Sequence, residues 1–222
     1  TDQIRARLYY NLAFSYYQLF NYIIAKDFAK EAYNQYLHLH NWSKVADCYN
    51  LYAIIHRLLG KLEIAEEYLK KGLDITKKEQ NFKLTAMLLH NLALVYRDSK
   101  KYTLALQTIN ECITYKEMLN LNILISYNTK LEILFLLEDL DNFKLLLQNL
   151  KKEDMTETQY SNLLYLEAQL AFVEEDYNKY EKLMISAISF FKKHHILNTL
   201  EKSALELSQY YEKNKKYKKA LY

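Results

Sequence analysis

Apolar residues recur three and four positions apart in stretches of about 17 residues, and Asn, Asp, Ser or Gly-Lys residues separate the stretches. This spacing places the apolar side chains on one face of an α-helix. Thr156 followed by Gln159 predicts a capping box at the start of one such stretch. The pattern predicts eleven helices, at residues 3–20, 25–40, 43–59, 62–79, 82–99, 102–119, 122–138, 141–152, 157–174, 177–194 and 197–214.

The helical stretches themselves repeat with a period of about 40 residues. Two series of alanines keep this spacing, namely Ala13, Ala53 and Ala93, and then Ala25, Ala65 and Ala105. A large apolar residue marks the start of the second stretch in each of six units, at Tyr22, Leu62, Tyr102, Phe143, Tyr177 and Tyr217. Since two helices approach closely only where one side chain is small, we expect these alanines, and also Ala187, at helix crossings.

The period divides the chain into helix pairs that form one repeat domain over residues 1–222. The predicted units lie near 6–41, 46–81, 86–121, 127–154, 161–196 and 201–222, and the last is incomplete. An unfinished pair exposes an apolar face, so we expect further chain beyond Tyr222 in the natural protein. The first residue is Thr1 rather than Met, which is consistent with a leading segment outside this sequence.

Composition excludes the folds and sites that depend on tight turns. The 222 residues include no Pro and 2 Gly, whereas β-hairpins and phosphate-binding loops need Gly at particular positions. The net charge of +3 gives no field that would attract nucleic acid or an anionic membrane, so we expect neither as a direct partner. Cys48 and Cys112 show no pairing pattern, which favours a cytoplasmic protein.

The repeat resembles the tetratricopeptide repeat family. In that family a leucine and a small residue in the first helix are followed by an aromatic residue, and the second helix carries an aromatic and two small residues. The unit that matches best contains Leu92, Ala93, Tyr96, Tyr102, Ala105 and Cys112. The closing proline of the family is missing throughout, and each unit has about 40 residues rather than 34. The resemblance implies an all-α fold, a right-handed superhelix of helix-turn-helix pairs known as an α-solenoid.

Candidate catalytic and metal-binding residues are few. His38 and His40 lie two apart on one helix and therefore face different directions, and His194 and His195 are adjacent. The serines lack the glycines of a nucleophile elbow, and neither cysteine has the context of a nucleophile. We therefore expect no enzyme activity, no cofactor and no metal.

Polar residues recur on the first helix of each unit, on the face that stacking turns inward. An asparagine offers both donors and an acceptor to a peptide backbone, and an arginine binds a carboxylate through two hydrogen bonds. Solvation of a polar face is the alternative explanation. The predicted peptide-binding residues are Arg7, Asn11, Asn50, Arg57, His90, Asn91, Arg97, Asn128 and Asn162, with Glu132 and Gln169 on the same face.

The chain resembles the cytoplasmic peptide-pheromone receptors of Gram-positive bacteria, the RRNPP type. The resemblance depends on the long units, the Asn-lined groove and the missing prolines. This resemblance implies that a short peptide or a partner segment binds in the concave groove, and that the chain is the sensor domain of a peptide-responsive transcriptional regulator in quorum sensing. Such control would depend on a DNA-binding segment ahead of Thr1. The alternative is a constitutive scaffold for protein-protein interaction.

We also expect the protein to form a homodimer through its C-terminal units. The unfinished sixth pair and a nearby apolar run leave surface that a monomer would expose beyond the usual few hundred Å². The run consists of Ile185, Ala187, Ile188, Phe190 and Phe191.

Overall fold

The computed structural model describes residues 1–150 and 155–216. Within these ranges the chain is all-α, with eleven helices and no strand. The helices are α1 (Asp2–Gln18), α2 (Tyr22–His38), α3 (Trp42–Leu58), α4 (Leu62–Lys78), α5 (Phe82–Asp98), α6 (Tyr102–Met118), α7 (Leu124–Leu136), α8 (Leu140–Asn149), α9 (Glu157–Val173), α10 (Tyr177–Lys193) and α11 (Leu197–Lys213).

Every helix predicted from the sequence is confirmed, and the ends agree to within three residues. The largest difference at a helix start is in α2, which begins at Tyr22 because the Asn21 side chain accepts a hydrogen bond from the amide of Ile24. The capping box of Thr156 and Gln159 is also confirmed. Residues 151 and 152 of the predicted eighth helix, Tyr217, and the end of the sixth unit lie outside the described residues.

All the helix ends but one share a turn conformation. A residue with positive φ follows every helix except α8, where Leu150 is extended, and it is a glycine only at Gly60, where φ is 73°. The next amide then donates to the carbonyl five residues earlier, as Lys61 does to His56 at 2.8 Å. This arrangement satisfies the free carbonyls at a helix C-terminus. The remaining turns place larger residues in the left-handed region, at Phe20, His40, Gln80, Lys100, Asn120, Glu138, Glu175, His195 and Lys215.

The chain divides into two compact units, Thr1–Ile133 and Leu134–Tyr222. In the first unit α1 packs on α2, α3 on α4 and α5 on α6, and each pair contacts the next. The first helices α1 and α5 also contact α3. In the second unit α9 packs on α10, and α10 packs on α11.

Small side chains lie inside the helix pairs, as the spacing predicts. Their full burial leaves room for the larger side chains of the partner helix. All the alanines predicted at crossings are fully buried, namely Ala13, Ala25, Ala53, Ala65, Ala93, Ala105 and Ala187.

The apolar run of the C-terminal units is not the exposed surface that the sequence suggests. Ala187 and Phe191 are fully buried, and Ile188 packs against the core of the second unit. Ile185 alone in this run is largely exposed, at 49%. The expectation of a continuous apolar face here is therefore wrong, because the helical period turns most of the run toward the core of its own unit.

Candidate functional site

The predicted peptide-binding residues all lie on the first helix of a pair. Those within the compact unit Thr1–Ile133 define what we call the first-helix face, and Asn162 lies on α9 of the compact unit Leu134–Tyr222. The first-helix face comprises Arg7 and Asn11 on α1, Asn50 and Arg57 on α3, His90, Asn91 and Arg97 on α5, and Asn128 on α7.

An amide pair joins α3 to α5 on this face. The Asn91 side-chain amide donates to the Asn50 Oδ1 atom at 2.7 Å. Asn50 is only 5% exposed, so this bond satisfies an acceptor that water does not reach. The two asparagines therefore form the rung of a ladder between neighbouring first helices.

A charged network continues the ladder one to two turns further along the helices. Arg57 donates to Asp98 at 2.8 Å, from α3 to α5. Arg97 donates to the same carboxylate through Nε at 3.0 Å and Nη2 at 2.9 Å, and its Nη1 atom also donates to Glu132 on α7. Two arginines and two carboxylates make the network formally neutral.

Asp98 is the member of this network that the sequence analysis does not predict. It occupies the last position of α5, beside Arg97. It lies 41 residues after Arg57, close to one repeat period, and this spacing is the signal in the sequence that points to it. Because Asp98 holds both guanidinium groups, a ligand carboxylate would have to compete with it. The arginines are thus less accessible than the sequence suggests.

His90 lies in a more buried polar cluster between α5 and α7. Its Nδ1 atom is 3.4 Å from the Ser126 hydroxyl, to which the Lys116 ammonium donates at 2.8 Å. Burial lowers the pKa of His90 to about 4, and the positive charges of Lys116, Arg57 and Arg97 add to the effect. The imidazole is therefore neutral at physiological pH and serves as a hydrogen-bonding group.

Three members of the first-helix face keep their polar groups free. Arg7 and Asn11 are exposed, and Asn128 is 9% exposed. Within the part of the chain that the structure describes, none of these side chains has a hydrogen bond or an ion pair. Of the three, the exposed side chains of Arg7 and Asn11 are those that a ligand would meet first.

The second unit carries a ladder of different chemistry. The Tyr165 hydroxyl lies 2.9 Å from both carboxylate oxygens of Glu206, and the Gln169 amide donates to Oε2 at 2.8 Å. These bonds join α9 to α11. Asn162 lies on the same face of α9, three positions before Tyr165. A carboxylate held by neutral donors therefore replaces the arginine network.

Residues 1–150 and 155–216 contain neither a metal-binding cluster nor a membrane-spanning helix. No cluster of three His, Cys, Asp or Glu side chains there could hold a metal ion. In the same residues no helix combines the length and the hydropathy that crossing a bilayer requires. Cys48 and Cys112 are unpaired and buried.

The repeat architecture agrees with known protein families. Models of the tetratricopeptide repeat match residues 4–78 and 88–117. The chain is therefore a tetratricopeptide repeat protein, and the resemblance seen around Leu92 and Ala93 is confirmed. No curated protein sequence matches the chain.

Solved structures extend the likeness to nearly the whole chain. Aspartyl phosphate phosphatase F from Bacillus subtilis has a TM-score of 0.80 at 21% identity, over 99% of this chain and 58% of that protein. The apo form of the quorum sensor NprR from B. thuringiensis gives 0.77 at 20% identity, over 97% and 62%. A Rap protein complexed with competence and sporulation factor gives 0.54 at 16% identity, over 100% and 52%.

The chain thus spans between 52% and 62% of the length of these three proteins. At such identities the likeness establishes the fold and leaves function to the residues of the site. Because one of these proteins is named a phosphatase, the absence of enzyme activity stays a prediction.

Proposed function

We propose that this chain is the sensor domain of a cytoplasmic, peptide-responsive transcriptional regulator, and that a short peptide binds along the first-helix face. The observation that carries the proposal is the ladder of amide and arginine side chains between α3, α5 and α7. Carboxamides bind a peptide backbone without regard to its side chains, and guanidinium groups bind its terminal carboxylate. The likeness to a quorum sensor supports this assignment.

The ladder also gives a route from binding to response. Each rung joins two helix pairs, so a ligand that takes over a rung changes how neighbouring pairs are held together. A peptide carboxylate that displaces Asp98 from Arg57 would release the link between α3 and α5. Binding would then alter the packing of repeats rather than merely occupy a surface.

A constitutive scaffold is the second candidate. The internal neutralisation of Arg57 and Arg97 by Asp98 and Glu132 favours it, because a structural network needs no ligand. The likeness to kinesin light chain repeats, with a TM-score of 0.66 at 14% identity over 86% of this chain, is also consistent with a scaffold.

Calorimetric titration with short peptides separates these candidates. Each peptide is used with a free carboxyl terminus and with an amidated one. Losing one charge-assisted arginine contact should weaken binding of the free-acid peptide by roughly 10- to 150-fold in Arg57→Ala and Arg97→Ala. Arg5→Ala, which removes an exposed arginine of α1, serves as the matched control and should bind normally.

Asp98→Asn sharpens the test because it removes the internal competitor. We expect it to strengthen binding of the free-acid peptide and to leave the amidated peptide unaffected. If a peptide binds and neither the arginine variants nor Asp98→Asn changes its affinity, the first-helix face is not the binding site and the scaffold becomes the better assignment. The gene sequence upstream of Thr1 tests the regulatory role, for which we expect a helix-turn-helix segment.

Self-association remains part of the proposal. Apolar side chains of the second unit that are more than half exposed include Leu197 at 66% and Leu205 at 58%, and a homodimer contact would cover them. Sedimentation should give a mass of twice 26.6 kDa. A monomer at high protein concentration would contradict the dimer.

A further inference from the structure

The first unit contains a second candidate site on a different helix face. An open cavity of about 370 Å³ lies between α2 and α4, with α3 at its base. We call it the tyrosine cavity. Its lining residues are Lys26, Asp27, Lys30, Tyr33, Asn34, Tyr49, Tyr52, His56, Tyr68 and Lys71.

Aromatic side chains make up half of the lining residues. The Tyr68 ring stacks on Tyr52 with 5.1 Å between centroids, on His56 at 5.6 Å and on Tyr49 at 5.8 Å. The Tyr33 and Tyr49 hydroxyls share a hydrogen bond of 3.1 Å, and either can donate. The wall thus offers aromatic surface together with hydroxyl groups.

Packing of the repeat does not require this polar aromatic wall. The positions 40 residues after Tyr33, Tyr49 and Tyr52 are leucines, and these leucines are buried. Apolar residues therefore suffice at these positions for the same helix contacts. The residues one period later are Leu73 for Tyr33, Leu89 for Tyr49, Leu92 for Tyr52 and Tyr96 for His56.

His56 contributes a largely buried imidazole to this wall. The residue is 9% exposed, and its Nδ1 atom is buried with no hydrogen-bond partner among the described residues. Burial lowers the pKa of His56, with contributions from Lys61 and Lys26, so the ring is neutral.

The rim of the tyrosine cavity is positively charged. Lys26 and Lys30 have no ion pair with any residue in the described ranges, while Lys71 is bound to Glu67 at 2.5 Å. Asp27 is the one carboxylate in the lining. Two free ammonium groups therefore face one carboxylate, and the balance favours an anionic group on the ligand.

We propose that the tyrosine cavity binds a small molecule that joins a flat aromatic ring to a phosphate, that is, a nucleoside monophosphate. The ring would lie against the tyrosines, and the phosphate would accept hydrogen bonds from Lys26 and Lys30. A cavity of about 370 Å³ is within the usual size range of small-molecule sites. This inference is independent of the peptide on the first-helix face.

The test is calorimetric titration of the whole chain with adenosine monophosphate and uridine monophosphate, with adenosine and inorganic phosphate as partial ligands. We expect at least one of the nucleotides to bind about tenfold or more tightly than either partial ligand, because each of those lacks one half of the contacts. Lys30→Gln should weaken nucleotide binding by about tenfold. The matched control is Lys70→Gln, which removes the lysine one period later and should bind normally.

Nuclear magnetic resonance of the His56 ring locates the bound nucleotide. His56→Tyr copies Tyr96 of the next repeat, so it should fold, and its spectrum assigns the ring signals by their loss. The nucleotide should shift these signals in the native chain. The proposal is overturned if both nucleotides fail to bind, if phosphate alone binds as well as they do, or if a bound nucleotide leaves His56 unmoved and tolerates Lys30→Gln.

Discussion

The second and third repeats of this protein share a backbone and differ in chemistry. The pair α3 and α4 lies 40 residues before α5 and α6, and all four helices have 17 residues. Ala53 and Ala93 are fully buried at equivalent positions. Around them, the second repeat has tyrosines and a histidine where the third has leucines and a tyrosine. A few small buried residues are thus enough to form the helix pair, and the chemistry of the surrounding positions can differ between repeats.

Equivalent polar residues also differ in their partners. Asn50 bonds to Asn91, whereas its counterpart His90 lies beside Ser126. A repeat position therefore decides where a side chain lies, but the neighbouring helix decides what it bonds. The following variants test this distinction, beginning with the largest expected effect.

Enlarging the shared small residue should damage the third repeat most. Ala93→Leu overpacks a fully buried crossing, and we expect it to lower the free energy of unfolding by about 1–3 kcal/mol. Denaturant titration measures the loss. Ala204→Leu, at a half-buried position, is the control and should be close to neutral; equal losses in both would contradict the assignment of the crossing.

Replacing His90 should remove a pH dependence that Asn50, the equivalent residue of the second repeat, does not have. The pKa of His90 is lowered to about 4 from an ordinary value of 6.5, so between these pH values the unfolded chain binds more protons. Stability is therefore lost as the pH falls from about 6.5 to 4. We expect a contribution on the order of 1–2 kcal/mol, allowing for partial solvent contact.

His90→Asn, which copies Asn50, tests this expectation. Unfolding measured between pH 7 and pH 4 should show a smaller loss of stability in the variant than in the native chain. Identical losses would mean that the imidazole titrates in the folded protein as it does in the unfolded one.

The turns that follow α3 and α5 allow residues to be exchanged between the two repeats. Gly60 and Lys100 occupy equivalent positions with φ of 73° and 60°. No atom outside the neighbouring residues lies within 4 Å of the position that a Cβ atom would take at Gly60, so strain of the backbone is the main cost there. Gly60→Lys should destabilise the protein by about 1 kcal/mol, because lysine is strained at positive φ. Lys100→Gly relieves this strain, but glycine also raises the entropy of the unfolded chain, so we expect a smaller stabilisation of about 0.5 kcal/mol. Changes of the same sign in thermal unfolding would argue against this explanation.

The last variant concerns the amide rung. Asn91→Ala leaves the buried Asn50 oxygen without its donor, and we expect a loss of about 1 kcal/mol. Asn11→Ala removes the equivalent but exposed asparagine of α1 and should have almost no effect. If both variants unfold at the same temperature, the rung does not stabilise the contact between α3 and α5.

The fold was readable from the sequence because its signals are local and repeated. Apolar spacing gave every helix, and alanines 40 residues apart gave the crossings. The predicted apolar surface at Ile185 to Phe191 was wrong because composition alone does not say which side of a helix faces the core. Ala187 and Phe191 turned out to be buried within their own unit.

The sequence by itself determined that this chain is a helical repeat protein and which residues lie on the first helix of each pair. Only the tertiary structure decided their partners: Asp98 with Arg57 and Arg97, and Ser126 beside His90. The physical reason is the distance along the sequence over which each interaction acts. Helical periodicity acts over a few residues and fixes the face on which a side chain lies, whereas a hydrogen bond between residues 41 apart depends on how two helices are displaced against each other.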